Sequence, residues 1–175
     1  MVDRQSVSLF GVESVGDYLR LCEGAVAALS EDQASVLKGF TSILALNHFS
    51  DWLRYKLSAD ERTTLGLTSN KPGDTVIDDF ESLNGDLKLV RSLANGFKHL
   101  RPIDPTSKIE GYGLVPYGVG PYGSPYLLID LGDDKEPGDR WVVGVDLCQR
   151  VLKWWSETLC PILPDTNDGG IEKND

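Results

Sequence analysis

The feature that most constrains the fold is a run of apolar residues spaced three and four apart. Phe80, Leu83, Leu87, Val90, Ala94 and Phe97 follow this rule without interruption. That is the repeat of one helix face. It predicts a long helix from about Thr75 to Leu100, ended by Pro102. Leu89, Leu93 and Leu100 form a second strip on it, so it should pack against two neighbours.

Other segments read as helices by the same test. "SVGDYLRLCEGAVAAL", residues 14–29, alternates apolar and polar positions at helical spacing, with Ser14 or Asp17 as its cap. A longer helix is expected from about Gln33 to Leu57, with Leu37, Leu44, Trp52 and Tyr55 on one buried stripe and Val36, Phe40 and Ile43 beside it. Ser58 and Glu61 stand at capping-box spacing and open a short helix. "TSNKPGDT" is loop by composition.

After Pro102 the chain changes character. "GYGLVPYGVGPYGSPY", 111–126, reads as a loop; its tyrosines Tyr112, Tyr117, Tyr122 and Tyr126 would serve an adaptable surface or grip a partner. "YLLIDL" and "RWVVGV" read as two strands of a hairpin at about 126–145. A last helix, "LCQRVLKWWSETLC", is expected with Asp146 as its cap and Pro161 as its stop. Trp141, Trp154 and Trp155 would anchor hairpin and helix to the core, with one of the adjacent pair turned from the other.

The expected fold is therefore mainly α: a bundle of about four main helices with a β-hairpin inserted before the last. One domain should span 1–163, followed by a disordered acidic tail at 164–175. With 175 residues the chain can bury a substantial core.

Composition limits the function. The net charge of −10 repels phosphate backbones, so RNA chemistry would need a small concentrated basic site. Cys22, Cys148 and Cys160 have no paired metal-ligand spacing and read as reduced thiols of a cytoplasmic protein. No apolar run reaches membrane-spanning length, and there is no leader pattern, so no membrane association is expected. No phosphate-binding glycine loop or dinucleotide fingerprint occurs, so no cofactor is expected; two histidines with Asp51 give only weak support for a metal, and none is expected.

Both histidines of the chain lie in similar polar settings. Arg91, Asn95 and His99 recur every four residues, with Lys98 adjoining, and so form one ridge on the third helix. His48 falls between Leu44 and Trp52, expected on the buried stripe, with Asp51 three residues on to orient it. Two imidazoles held in different protonation states suit paired acid and base catalysis, and an arginine or lysine between them would stabilise developing phosphorane charge. The structural alternative is a core histidine, a histidine at a helix end and an interhelical Arg91–Asp51 ion pair.

"NHFSDWL" followed by "RSLANGFKH" resembles a pattern in poorly characterised bacterial helical-bundle proteins. The matching positions are His48, Asp51, Trp52, Arg91, Ala94, Asn95, Lys98 and His99. More distantly, "ANGFKH" is similar to the motif of HEPN domains, many of which are metal-independent ribonucleases of toxin–antitoxin and antiphage systems. That motif is an arginine, often followed by asparagine, with a histidine four to six residues on. Here Ala94 stands where the arginine would be, and Arg91 lies a turn earlier.

The resemblance implies a shared bundle; on a HEPN-like reading His99 and His48 would be acid and base, with Asp51 orienting His48, Arg91 steadying the phosphate, and Asn95 and Lys98 binding RNA. A protein antitoxin or a second copy of the chain would be its partner. The alternative is a noncatalytic, dimeric protein-interaction or regulatory module.

Overall fold

The structure, a computed structural model, describes residues 11–67, 75–99, 106–108, 125–132, 135–136 and 139–163, with side chains described except at 75–76, 97–99 and 106–108. The tyrosines at 112, 117 and 122 and the expected tail at 164–175 lie outside these residues.

The elements are α1 (Val15–Glu31), α2 (Val36–Lys56), α3 (Ala59–Thr64), α4 (Thr75–Leu83), α5 (Gly85–His99), β1 (Thr106–Lys108), β2 (Leu128–Asp130), β3 (Trp141–Val143) and α6 (Gly144–Leu159). The chain is mainly helical, with an antiparallel β2–β3 hairpin before the last helix. β1 adds to that hairpin, giving an antiparallel sheet of order β1-β2-β3.

The helix starts follow their local chemistry. Ser14 caps α1 in a capping box with Asp17, and Ser58 does the same for α3 with Glu61. Each box satisfies amides that the first turn leaves without partners. Asp146 does not cap α6; the N-cap is Val143, and β3 runs straight into the helix. Asp146 sits instead in the first turn, where its charge suits the helix dipole. At the other end of α2, the buried Arg62 donates from Nε to the carbonyl of Leu57 and from Nη2 to that of Arg54. A short helix thereby caps a long one with a cation.

α2 is the central helix, packed against α1, α4, α5 and α6. Its buried face carries Gly39, Ile43, Leu46, Phe49 and Leu53. The stripe expected to be buried is only partly so: Leu44 and Trp52 pack against the core and Ile43 is buried, but Leu37 and Tyr55 are each 73% exposed, and Val36 is 54% exposed. α2 is apolar on nearly every side, so residue type alone does not say which side faces in. α1 runs antiparallel to it, as two contacts fix. Ser42 Oγ donates to the Ala25 carbonyl at 2.9 Å, and Tyr18 stacks on Phe49 with ring centroids 5.0 Å apart.

The long helix expected from Thr75 to Leu100 is two helices. Asn84 Oδ1 accepts from the amides of Asp86 and Leu87 at 2.9 and 3.2 Å and starts α5 afresh. Leu83, beside the break, is 61% exposed. Phe80, Leu87, Val90, Leu93 and Ala94 are buried as the periodicity predicts.

The aromatic core joins α2, α4 and α6. Trp155 is fully buried and meets Phe49 at 5.2 Å and Phe80 at 4.9 Å between centroids. Trp154 does not turn away from it: the two indoles lie 4.7 Å apart and both meet Phe80. The sheet is pinned beneath by Asp130, buried and paired with both Nε and Nη2 of Arg140 at 2.8 and 2.7 Å. Leu127 ties sheet to helices: its amide donates to the Gln33 carbonyl, its carbonyl accepts from Gly144, and its side chain fills the notch over Gly39.

Candidate functional site

His48 and Asp51 sit one turn apart on α2. The Nδ1 of His48 lies 3.3 Å from Asp51 Oδ2, and the two side chains are 53% and 48% exposed. His48 is thus not on the buried stripe. The outward turn of α2 carries it to solvent.

Arg91 rises from α5 and is held from the preceding helix. Its Nη1 donates to Glu81 Oε1 at 2.7 Å and lies 3.8 Å from Asp78. Along one straight helix, ten residues would separate Glu81 from Arg91 by about 15 Å. The bend at Asn84 brings them together. Hydrogen bonding to Glu81, aided by the fields of Glu81, Asp78 and Asp51, pushes the guanidinium further above its ordinary range against the opposing effect of burial. Asp51 of α2 therefore lies within electrostatic reach of Arg91 on α5.

Of the residues predicted from sequence, His48, Asp51 and Arg91 are brought to one region of the α2–α5 seam. Asn95 is exposed on α5, one turn beyond Arg91. The backbone of Lys98 and His99 lies in the last turn of α5, and their side chains fall outside the described residues. The residues missed from sequence are Glu81 and Asp78. The signal was present in the acidic "DDFES" run, but reading 75–100 as one helix placed it too far away.

Chemically, the region holds one imidazole oriented by a carboxylate, and one guanidinium surrounded by three carboxylates. Among the described residues no group of three His, Cys, Asp or Glu side chains is placed to hold a metal ion. No described helix is long and apolar enough to cross a membrane. Cys22 and Cys148 are buried, and burial pushes each thiol up to about 12, away from nucleophilic use.

The arrangement defines a class only at the level of fold: a mainly helical bundle with a small antiparallel sheet. Comparison with protein-family models, curated proteins and solved structures finds no match.

Proposed function

We propose that the chain is a noncatalytic helical module that works by binding protein. The observation that carries this reading is the state of Arg91. Its guanidinium is engaged by Glu81 at 2.7 Å, with Asp78 at 3.8 Å. A phosphate entering here would have to displace Glu81 and then face the carboxylates left behind. At about 5 Å and an effective dielectric near 20, each such like-charge contact costs about 3 kcal/mol. The overall charge of −10 adds to that repulsion. In this reading Arg91 fixes the angle between α4 and α5, and the exposed apolar side chains of α2 meet the partner.

A second reading is favoured by the water-accessible His48–Asp51 pair. There His48 and His99 are the acid and base of a metal-independent ribonuclease, oriented by Asp51. Arg91 and Lys98 steady the phosphate and Asn95 the substrate, in a defence or toxin–antitoxin setting.

One experiment separates the two. Purified chain is incubated with labelled single-stranded RNA in EDTA, beside His48→Ala and His99→Ala. Intact RNA in all three supports the noncatalytic module. Cleavage by the parent chain that both substitutions abolish would establish the second reading.

A further inference from the structure

The chain holds two Asn-Gly pairs, Asn84–Gly85 and Asn95–Gly96. Such a pair carries its own chemistry. The glycine nitrogen can attack the asparagine side-chain carbonyl and close a five-membered ring, because no Cβ on the second residue crowds the approach. The reaction needs a nitrogen without another partner and a backbone able to turn toward the side chain.

The structure sets the two pairs in opposite states. Asn95 and Gly96 lie inside α5, where the Gly96 amide belongs to the helical ladder. Ring closure there has to break the helix first. Asn84 stands between α4 and α5, outside both. Its amide donates to the Phe80 carbonyl and its carbonyl accepts from the Lys88 amide, so one ladder stops on Asn84 and the next begins there. Among the described residues no acceptor takes the Gly85 amide, one of the first-turn donors that a helix leaves over. Gly85 is exposed, and a Cβ on it would meet nothing within 4 Å.

The side chain of Asn84 is also set for the step. Its Oδ1 accepts from the amides of Asp86 and Leu87 at 2.9 and 3.2 Å. As a nitrogen bonds to Cγ, negative charge gathers on that oxygen, and two amides at the positive end of α5 already point at it. The Asp86 carboxylate, which would oppose that charge, is engaged by Nε and Nη2 of Arg150 at 2.7 and 3.1 Å.

We infer that Asn84 is a site of spontaneous modification, converted through a succinimide with Gly85 to aspartyl and isoaspartyl forms, while the fold protects Asn95. The Gly85 nitrogen gives its proton to hydroxide and bonds to Asn84 Cγ. The Cγ–Nδ2 bond breaks, and the side-chain nitrogen leaves as ammonia with a proton from water. Water then opens the ring at either carbonyl. Nothing is oxidised or reduced, and the chain gains one negative charge. In the isoaspartyl form the backbone runs through the former side-chain carbon, which lengthens the junction that sets Glu81 against Arg91. The inference is independent of both functional readings, since neither uses Asn84.

The test ages the full chain at pH 8, native and in guanidinium. Tryptic peptides are then analysed by mass spectrometry, with aspartyl and isoaspartyl forms separated. Lys88 and Arg91 lie between the two pairs, so each is read on its own peptide. In the native chain Asn84 should convert at least tenfold faster than Asn95, and no slower than it does in guanidinium. Asn95 keeping pace in the native chain, or Asn84 slowed by folding, overturns the inference. So does a preference for Asn84 that persists in guanidinium, because the fold would then not be its cause.

Gly85→Ala tests the attacking nitrogen. The open space around Gly85 admits the methyl group, so the variant should keep its circular dichroism spectrum. Its Asn84 should convert at least tenfold more slowly, with Asn95 unchanged. Undiminished conversion at Asn84 would show that the ring does not close on Gly85, and the inference would fall.

Discussion

Arg91 on α5 reaches back across the bend at Asn84 to hold Glu81 on α4, with 2.7 Å between Nη1 and Oε1. The contact joins two helices that a straight reading of the sequence would merge, and it uses the one guanidinium that the motif offers to a phosphate. Glu81 is the more covered partner, with 16% of its side chain exposed against 38% for Arg91.

A double-mutant cycle with Arg91→Gln and Glu81→Gln should therefore give a coupling of about 0.5–1.5 kcal/mol, measured by urea unfolding. Partial exposure keeps it below the value of a buried pair. A coupling indistinguishable from zero would mean that the two helices are held by apolar packing alone.

The thiols should separate cleanly by burial. Cys22 and Cys148 are fully buried and Cys160 is exposed, so a disulfide reagent at pH 8 should titrate one thiol in the native chain and three after denaturation. Rapid reaction of two or more native thiols would contradict the packing of α1 and α6.

The start of α1 should be acid-sensitive. Hydrogen bonds from the Ser14 hydroxyl and from the Ser14 and Glu13 amides hold the Asp17 carboxyl down at about 2, against 3.8 for an unperturbed one. A carboxyl depressed by folding stabilises above its unfolded pKa, and that contribution fades as pH falls from about 4 to about 2. Carbon-detected NMR titration should place the Asp17 midpoint near the bottom of that window. Asp17→Asn should make α1 less dependent on pH there.

Two helical glycines should respond to alanine by different amounts. A Cβ on Gly24 meets nothing within 4 Å, so Gly24→Ala should gain about 0.5–1 kcal/mol of helix preference. A Cβ on Gly39 would collide with Leu127 Cδ1, the tip of a side chain that must swing aside, so Gly39→Ala should gain less than Gly24→Ala. Thermal melts of the two variants check the difference; equal shifts would place Leu127 elsewhere.

Much of the framework was legible in the sequence because it is locally encoded. The capping boxes of Ser14 with Asp17 and Ser58 with Glu61 declare their helices within four residues. The core positions Phe80, Leu87, Val90 and Ala94 follow from their spacing. The orientation of α2 was not legible. Val36, Leu37, Phe40, Ile43, Leu44 and Leu46 are all apolar, and only packing against α1 decides that Ile43 and Leu46 go in while Leu37 stays out.

The break at Asn84 was hidden for a related reason. Phe80 and Leu87 remain seven residues apart across it, so the apolar rhythm carries on while the helix does not. Everything about the candidate site that depends on this bend, above all the pairing of Arg91 with Glu81, was invisible with it. His48 was misplaced with the face of α2, but its partnership with Asp51, one turn away, was readable directly.

The position of Leu127 bears on the order in which the chain acquires its structure. Its amide and carbonyl bridge Gln33, in the turn before α2, to Gly144, at the start of α6, while its side chain covers Gly39. During synthesis α1 and α2 leave the ribosome long before residue 127 does. Until then the Gln33 carbonyl lacks its donor and the Gly39 notch lacks its cover. The first two helices can pair early, but the end of α2 nearest the sheet is finished only when the last third of the chain arrives. A nascent chain stopped before Leu127 should leave that end of α2 an unfinished surface.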